Sequence, residues 1–333
     1  MRIPVRSWAF PAATALIAAA LASALSLGAT VDSELIARAR LFPSITSGVT
    51  AIRRDPSARY LVLTQRGGVA VFDANGQQAG HIPADPAPYL AIQYGSDLDV
   101  DAQGQVYVAD RAANLVDIYD SHGKSVRDIR VPGPIAVAAL GGGEVAVVNL
   151  RSPKLVMVFG ADGQETREFG EPAQISGRED LNRLANLGRL CRDSAGHIFY
   201  SFTYLPEPTV RRYDRFGYSD FQLVISTEDY IESSMAARRT IVREEDKSKG
   251  APELHTILGP VAVDQGNGEI WLAIGGRLLR YSADGTPLGS YLIYTPDEAR
   301  IEASALLIEP NRIVVGTADK GVFDLPRPPV TGP

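Results

Sequence analysis

The sequence predicts an all-β fold, a six-bladed β-propeller of four-stranded antiparallel blades. Two observations carry this: a short aromatic-and-turn element recurs along the chain, and a run of β-forming residues precedes each copy. The period, about 40 to 47 residues with several strands per unit, is that of a propeller blade.

The recurring element reads Val71-Phe72-Asp73-Ala74-Asn75-Gly76 in its first copy and Ile118-Tyr119-Asp120-Ser121-His122-Gly123 in its second. The aromatic positions Phe72, Tyr119, Phe159, Tyr213, Tyr281 and Phe323 are separated by 47, 40, 54, 68 and 42 residues. The preceding runs include Tyr60-Leu61-Val62-Leu63, Val106-Tyr107-Val108-Ala109, Ile198-Phe199-Tyr200-Ser201 and Ile270-Trp271-Leu272-Ala273. Such short apolar runs bounded by turn residues are the pattern of strands buried on both faces. Asp-x-x-Gly turns such as Asp101-Ala102-Gln103-Gly104 separate them; Asp caps the turn and Gly takes the positive φ it needs. The 333 residues, which by length alone suggest two domains, are thereby absorbed into one repeat domain spanning residues 35–325.

Before the repeats, Arg2 and Arg6 precede the apolar stretch Ala12 to Ala24, which ends in Ala22-Ser23-Ala24. Charge, apolar core and small-x-small site together make residues 1–24 a secretory signal, with an uncleaved anchor as the alternative. The expected location is periplasmic or extracellular. Residues 25–34 then form a linker, and Leu35 to Phe42 is the candidate strand that closes the ring from the N-terminus. At the other end Pro326, Pro328 and Pro329 stop the ladder, leaving a Pro-rich tail over residues 326–333.

The two long intervals locate insertions between blades 3 and 4 (Glu171 to Arg189) and between blades 4 and 5 (Ser226 to Gly259). Both fall in blade-to-blade connections, so both belong to one face, and loops of this length are often functional. Each carries helical spacing; in the larger, Ile231, Met235 and Val242 fit one apolar face, on a helix that is either a solvated cap of the propeller mouth or a lid or partner-docking element.

The stretch Asp97-Leu98-Asp99-Val100-Asp101-Ala102-Gln103-Gly104-Gln105-Val106-Tyr107-Val108-Ala109-Asp110, continuing to Tyr119-Asp120 and Gly123, resembles an NHL-type repeat. The resemblance implies a bacterial secreted or periplasmic six-bladed propeller. It implies no activity by itself, since function lives in sites grafted on the fold.

Composition narrows the functions. A net charge of −6 argues against nucleic-acid binding, and a single Cys allows neither an internal disulfide nor a Cys-rich zinc site. His81, His122, His197 and His255 fall in different blades, which disfavours a His-ligated metal of the kind the amidating-lyase relatives use. Lactonase-type propellers hold a calcium-like ion with Asp and Asn. By that likeness Asp110, Asn149 and Asp319, each following the second strand of a blade, are the candidate ligands, with Asp99 near the axis. Each is also explained as a turn cap, and no cofactor other than Ca²⁺ is implied.

The remaining candidates are basic. Arg53, Arg189 and Arg192 flank the channel-lining first strands, where they either bind an anion or pair with Asp99 and Asp264. Arg178, Arg238, Arg239 and His255 lie in the insertions and are candidate partner contacts. The expected function is a binding module that takes a protein, peptide or glycan on its insertion-bearing face. The alternatives are a metal-dependent lactonase- or lyase-like enzyme and a membrane-anchored extracytoplasmic subunit of a larger complex.

Overall fold

A computed structural model describes residues 32–85, 91–225, 230–247 and 252–329. The expected signal, most of the expected linker and the end of the Pro-rich tail lie outside these residues.

Six blades form, five of four strands and one of five, and all but the last two are continuous in sequence. Blade 1 comprises β3 (Val49–Arg54), β4 (Tyr60–Thr64), β5 (Gly68–Phe72) and β6 (Gln78–Ile82). Blade 2 comprises β7 (Gly95–Val100), β8 (Val106–Asp110), β9 (Leu115–Tyr119) and β10 (Ser125–Arg130). Blade 3 runs through β11 (Pro134–Gly141), β12 (Glu144–Asn149), β13 (Val156–Phe159) and β14 (Glu165–Phe169). Blade 4 runs through β15 (Gly188–Arg192), β16 (Ile198–Phe202), β17 (Thr209–Tyr213) and β18 (Ser219–Val224).

Blade 5 contains β19 (Val261–Val263), β20 (Ile270–Ile274), β21 (Arg277–Tyr281) and β22 (Pro287–Tyr294). Blade 6 contains β23 (Ala303–Ile308), β24 (Arg312–Thr317) and β25 (Val322–Pro326).

The N-terminus closes the ring, but not as one strand. It divides into β1 (Ser33–Ile36) and β2 (Ala39–Leu41). β1 lies parallel to β22 as a fifth strand of blade 5, whereas β2 pairs antiparallel with β25 and completes blade 6. Between them the Ala37 amide donates to the Tyr294 carbonyl (2.9 Å) and the Arg38 amide to that of Asp324 (2.7 Å), so the chain steps from one blade to the next. Phe42 then anchors the end of β2, its ring stacked 4.2 Å from that of Phe72 in blade 1.

The recurring turn has one mechanism. Asp120 Oδ1 accepts from the His122 and Lys124 amides, both at 2.9 Å, and Gly123 takes φ 80° to close the hairpin. Asp73, Asp101 and Asp214 cap their turns with the same pair of amides.

Each blade buries both faces of its middle strands. Tyr60 to Leu63, Val106 to Asp110 and Ile270 to Ile274 are all buried. The described core falls into six clusters, each spanning one pair of neighbouring blades, including the 6-to-1 pair through Phe42, Val49, Ile52, Val314 and Val322. Burial on this scale, at roughly 25 cal/mol per Å² of apolar surface, is what a lone sheet cannot achieve.

Both insertions fold into helices, α1 (Glu179–Ala185) and α2 (Ile231–Asp246). They share the face that carries the blade-to-blade connections. The opposite face carries the Asp-capped hairpins.

Candidate functional site

Two regions concentrate the candidate side chains: the axial channel and the insertion face.

The channel is lined by the first strand of each blade. Arg53 on β3 reaches Asp97 (3.5 Å) and Asp99 (3.3 Å) on β7, and also donates to the Ile52 carbonyl. Arg192 on β15 reaches Asp99 from the other side (3.3 Å) and donates to the Val100 carbonyl (2.9 Å). Arg189 donates to the Ser96 carbonyl (2.8 Å). The pairing of channel arginines with Asp99 that the sequence suggests is therefore formed, joining blades 1, 2 and 4 across the axis. Asp264 is different. It pairs with Arg327, which also meets Glu269 (2.9 Å), so it belongs to the anchor of the C-terminal segment rather than to the channel.

Burial pushes Asp97 up to about 6, against the opposing pull of Arg53, Arg189 and the Val137 amide. Burial would lower Arg53, but Asp97 and Asp99 hold its guanidinium above the ordinary value. Cys191 also lines the channel, and burial pushes its thiol well above the ordinary range. A thiol raised this way is not a nucleophile.

Asp110 and Asn149 are committed to the chain itself. Asp110 accepts from the amides of Gln93, Tyr94 (3.1 Å), Ala112 (3.1 Å) and Ala113 (3.1 Å). Asn149 Oδ1 accepts from the amides of Arg151 (2.8 Å) and Ser152 (2.9 Å). Asp319 is exposed and pairs with Lys320 (2.6 Å). These bonds make Asp110 and Asn149 turn caps, one of the two readings the sequence allows for them. Among the described residues no group of three or more His, Cys, Asp or Glu side chains is arranged to hold a metal ion.

On the insertion face the apolar side of α2 is exposed. Ile231, Met235 and Val242 are 52%, 50% and 58% exposed, so the apolar stripe faces outward. The helix docks instead through Ser234, Ala237, Thr240, Ile241 and Glu244, the less exposed positions.

Arg178 ties the two insertions together. Its guanidinium donates to the Glu244 carbonyl (2.6 Å) and the Lys247 carbonyl (2.7 Å) at the end of α2, and chelates Asp180 just inside α1. A cation on the final carbonyls of a helix satisfies groups that have no intrahelical partner. Glu245 returns the link, accepting from the Ser176 hydroxyl (2.8 Å) and the Gly177 amide (2.7 Å). Arg178 is therefore a positioning residue rather than a free ligand contact.

Arg238 pairs at the surface with Glu207, and Arg239 is exposed. His255, also exposed, lines a cavity of about 230 Å³ beneath α2 together with Tyr204, Ala237, Ile241, Leu254 and Ile257. The apolar cavity was not foreseen, because its wall combines four separate segments. Its signal in the sequence is the Ala236-Ala237 pair, too small to fill the space beneath the helix.

With this geometry the chain is similar to several solved propellers. Virginiamycin B lyase from Staphylococcus aureus superposes with a TM-score of 0.55 at 12% identity, covering 87% of this chain and 98% of that one. The RRP9 WD40 repeats give 0.57 at 11% identity, covering 88% and 99%. Kuenenia stuttgartiensis hydrazine synthase gives 0.54 at 11% identity, covering 92% and 99%. At such identities the likeness establishes the β-propeller fold alone. No family model and no curated protein sequence matches the chain.

Proposed function

We propose that the protein is an exported, NHL-like β-propeller that binds a protein partner on its insertion face. The observation that carries this is the outward stripe of α2. Three apolar side chains at helical spacing, Ile231, Met235 and Val242, stand in water on a helix fixed at its C-terminal end by Arg178. Burying them is favourable only against another surface, and a helix presenting anchors at i, i+4 and i+11 matches helix-in-groove recognition. Met adapts to irregular partner surfaces. α2 itself holds no aromatic ring, so a protein suits this stripe better than a glycan. Likeness to WD40 repeats, a fold often used in assemblies, is compatible with that choice. Export is supported by the N-terminal charge and apolar pattern.

The test is site-specific photo-crosslinking in the native host. A photoreactive residue at position 235 is expected to give a discrete protein adduct that Val242→Glu abolishes. The same residue at His122, on the hairpin face, is expected to give none. Equal labelling at both positions, or no adduct at 235, would overturn the reading.

A further inference from the structure

α2 meets the propeller across a gap. The cavity of about 230 Å³ lies between the helix and residues 254–257. Tyr204, from the β16–β17 connection, and Ile274 and Gly275, from the β20–β21 turn, complete its walls.

The sequence builds this gap. The helix lines it with Ser233, Ala236, Ala237, Thr240 and Ile241, of which only the last is large. The facing wall is tied down by its backbone: the Ile257 amide donates to the Thr203 carbonyl (2.8 Å) and the Gly259 amide to the Ala273 carbonyl (2.8 Å). The helix is held in turn by buried Ile241 and by Arg178 on its final carbonyls. Walls fixed in this way relax only partly into a void. The chain offers no filler of its own nearby. Residues 226–229 and 248–251, which flank α2 in sequence, read Ser-Thr-Glu-Asp and Ser-Lys-Gly-Ala, with no large apolar side chain.

The lining selects against charge. It contains no Asp, Glu, Lys or Arg, and its one imidazole, His255, is exposed. The channel cavity, by contrast, is walled by Arg53, Arg54, Arg192, Asp99 and Glu309. Nor is the apolar surface here already used. Ile241, Leu254 and Ile257 belong to none of the six inter-blade cores, and Tyr204, Leu254 and Ile257 are only half-buried. Tyr204, Ser233, Thr240 and Thr256 add hydroxyls that have no partner among the described residues, so a single polar atom on an occupant is tolerated. As a measure of size, an apolar cavity of ~150 Å³ accepts benzene.

We propose that the space beneath α2 is a binding site for a small, neutral, mostly apolar molecule of about one-ring size, packed against Tyr204, Ile241, Leu254 and Ile257. The site is separate from the partner stripe. Ala237, Thr240 and Ile241 are on the side of the helix turned to the propeller, Met235 and Val242 on the side turned to water.

Isothermal titration of the purified protein with toluene, indole, benzoate and benzylamine tests this. Toluene and indole are expected to bind at millimolar concentration or tighter. Benzoate and benzylamine are charged rings of similar size. They are expected to bind at least ~10-fold more weakly, because the lining offers nothing to offset the loss of their hydration.

Ala237→Leu grows a side chain into the space and is expected to weaken toluene at least ~10-fold. Ala236→Leu is the safer probe for folding, since its position is exposed and Leu is a good helix former. It is expected to weaken toluene in the same direction. Met235→Ala, on the outer side, is expected to leave toluene binding unchanged.

No binding of toluene or indole up to about 5 mM, beyond the millimolar range expected, would overturn the proposal. So would charged rings binding as tightly as neutral ones, or unchanged affinity in both leucine variants. A loss in Met235→Ala equal to that in Ala237→Leu would overturn it too, by placing the ligand on the outer stripe. None of these measurements involves a partner protein, so their failure leaves the partner-face reading intact, and the reverse.

Discussion

Asp117 gives the sharpest test of how this fold handles charge. It sits on β9 directly opposite Asp128 on β10, and Asp110 ends the neighbouring β8. Burial, and then the like charges of Asp110 and Asp128, push its carboxyl from 3.8 up to about 7. A carboxyl raised in the native state holds its proton there after the unfolded chain has lost it. The native state therefore binds more protons, and stability falls as pH rises from about 4 to about 7, then levels.

The full interval, at ~1.4 kcal/mol per decade, would cost ~4 kcal/mol at neutral pH. Asp117 is only partly buried and Asp128 is exposed, so screening reduces this to ~1–2 kcal/mol. Asp117→Asn keeps the shape and removes the charge. It is expected to raise the unfolding temperature by several degrees at pH 8, at ~2–4 °C per kcal/mol for a large domain. The gain is expected to shrink to nothing near pH 4. Thermal unfolding followed by circular dichroism at pH 4, 6 and 8 measures both limits. A gain of the same size at every pH, or none at pH 8, would refute the argument.

Other outcomes follow from the same contacts. Arg327→Ala leaves Glu269 and Asp264 underpaired in a buried cluster, and a loss of ~3–5 kcal/mol is expected in urea unfolding. Burial would raise Glu269, yet Arg280 and Arg327 hold it below its ordinary value, so this contribution is present above about 4.5 and fades as pH falls through the lowered value. Ile241→Ala should cost ~2–4 kcal/mol while Met235→Ala stays within ~0.5 kcal/mol, because only the first is buried. Arg178→Ala should speed limited proteolysis near the end of α2 while leaving blade unfolding nearly unchanged. Adding calcium at about 5 mM, above the ~10⁻³ M weak end of known sites, should not move the unfolding temperature, since the Asp110 carboxylate already holds four amides.

The blades were legible in the sequence because their signals are local. A strand run, an Asp cap and a glycine at positive φ lie within a few residues of one another, as at Asp120 and Gly123. Ring closure from the N-terminus was also legible, but its division between two blades was not. Nothing in Leu35 to Phe42 marks the step at Ala37 and Arg38, which is set by the carbonyls of Tyr294 and Asp324.

The site was legible only in part. Arg53 and Arg192 both lie near the turn ends of first strands, and their meeting at Asp99 is the pairing the sequence suggests. The orientation of α2 does not follow, because periodicity gives an apolar stripe without saying which side meets the protein. Ser234, Ala237, Thr240, Ile241 and Glu244 are the positions that turn toward the protein. Arg178 and Arg327 were opaque for another reason. Each contacts groups tens of residues away in sequence, outside the repeat.

The split N-terminal closure has a mechanical consequence. β1 runs parallel to β22, so a load applied through the N-terminus along that strand stretches its ladder in shear, with all the bonds of the four residues resisting together. β2 runs antiparallel to β25 one blade further on and is reached only after β1 has yielded. Force entering at this end therefore meets two seams in series, and parting the first withdraws Leu35 from the core between blades 5 and 6 while the other five inter-blade cores are untouched.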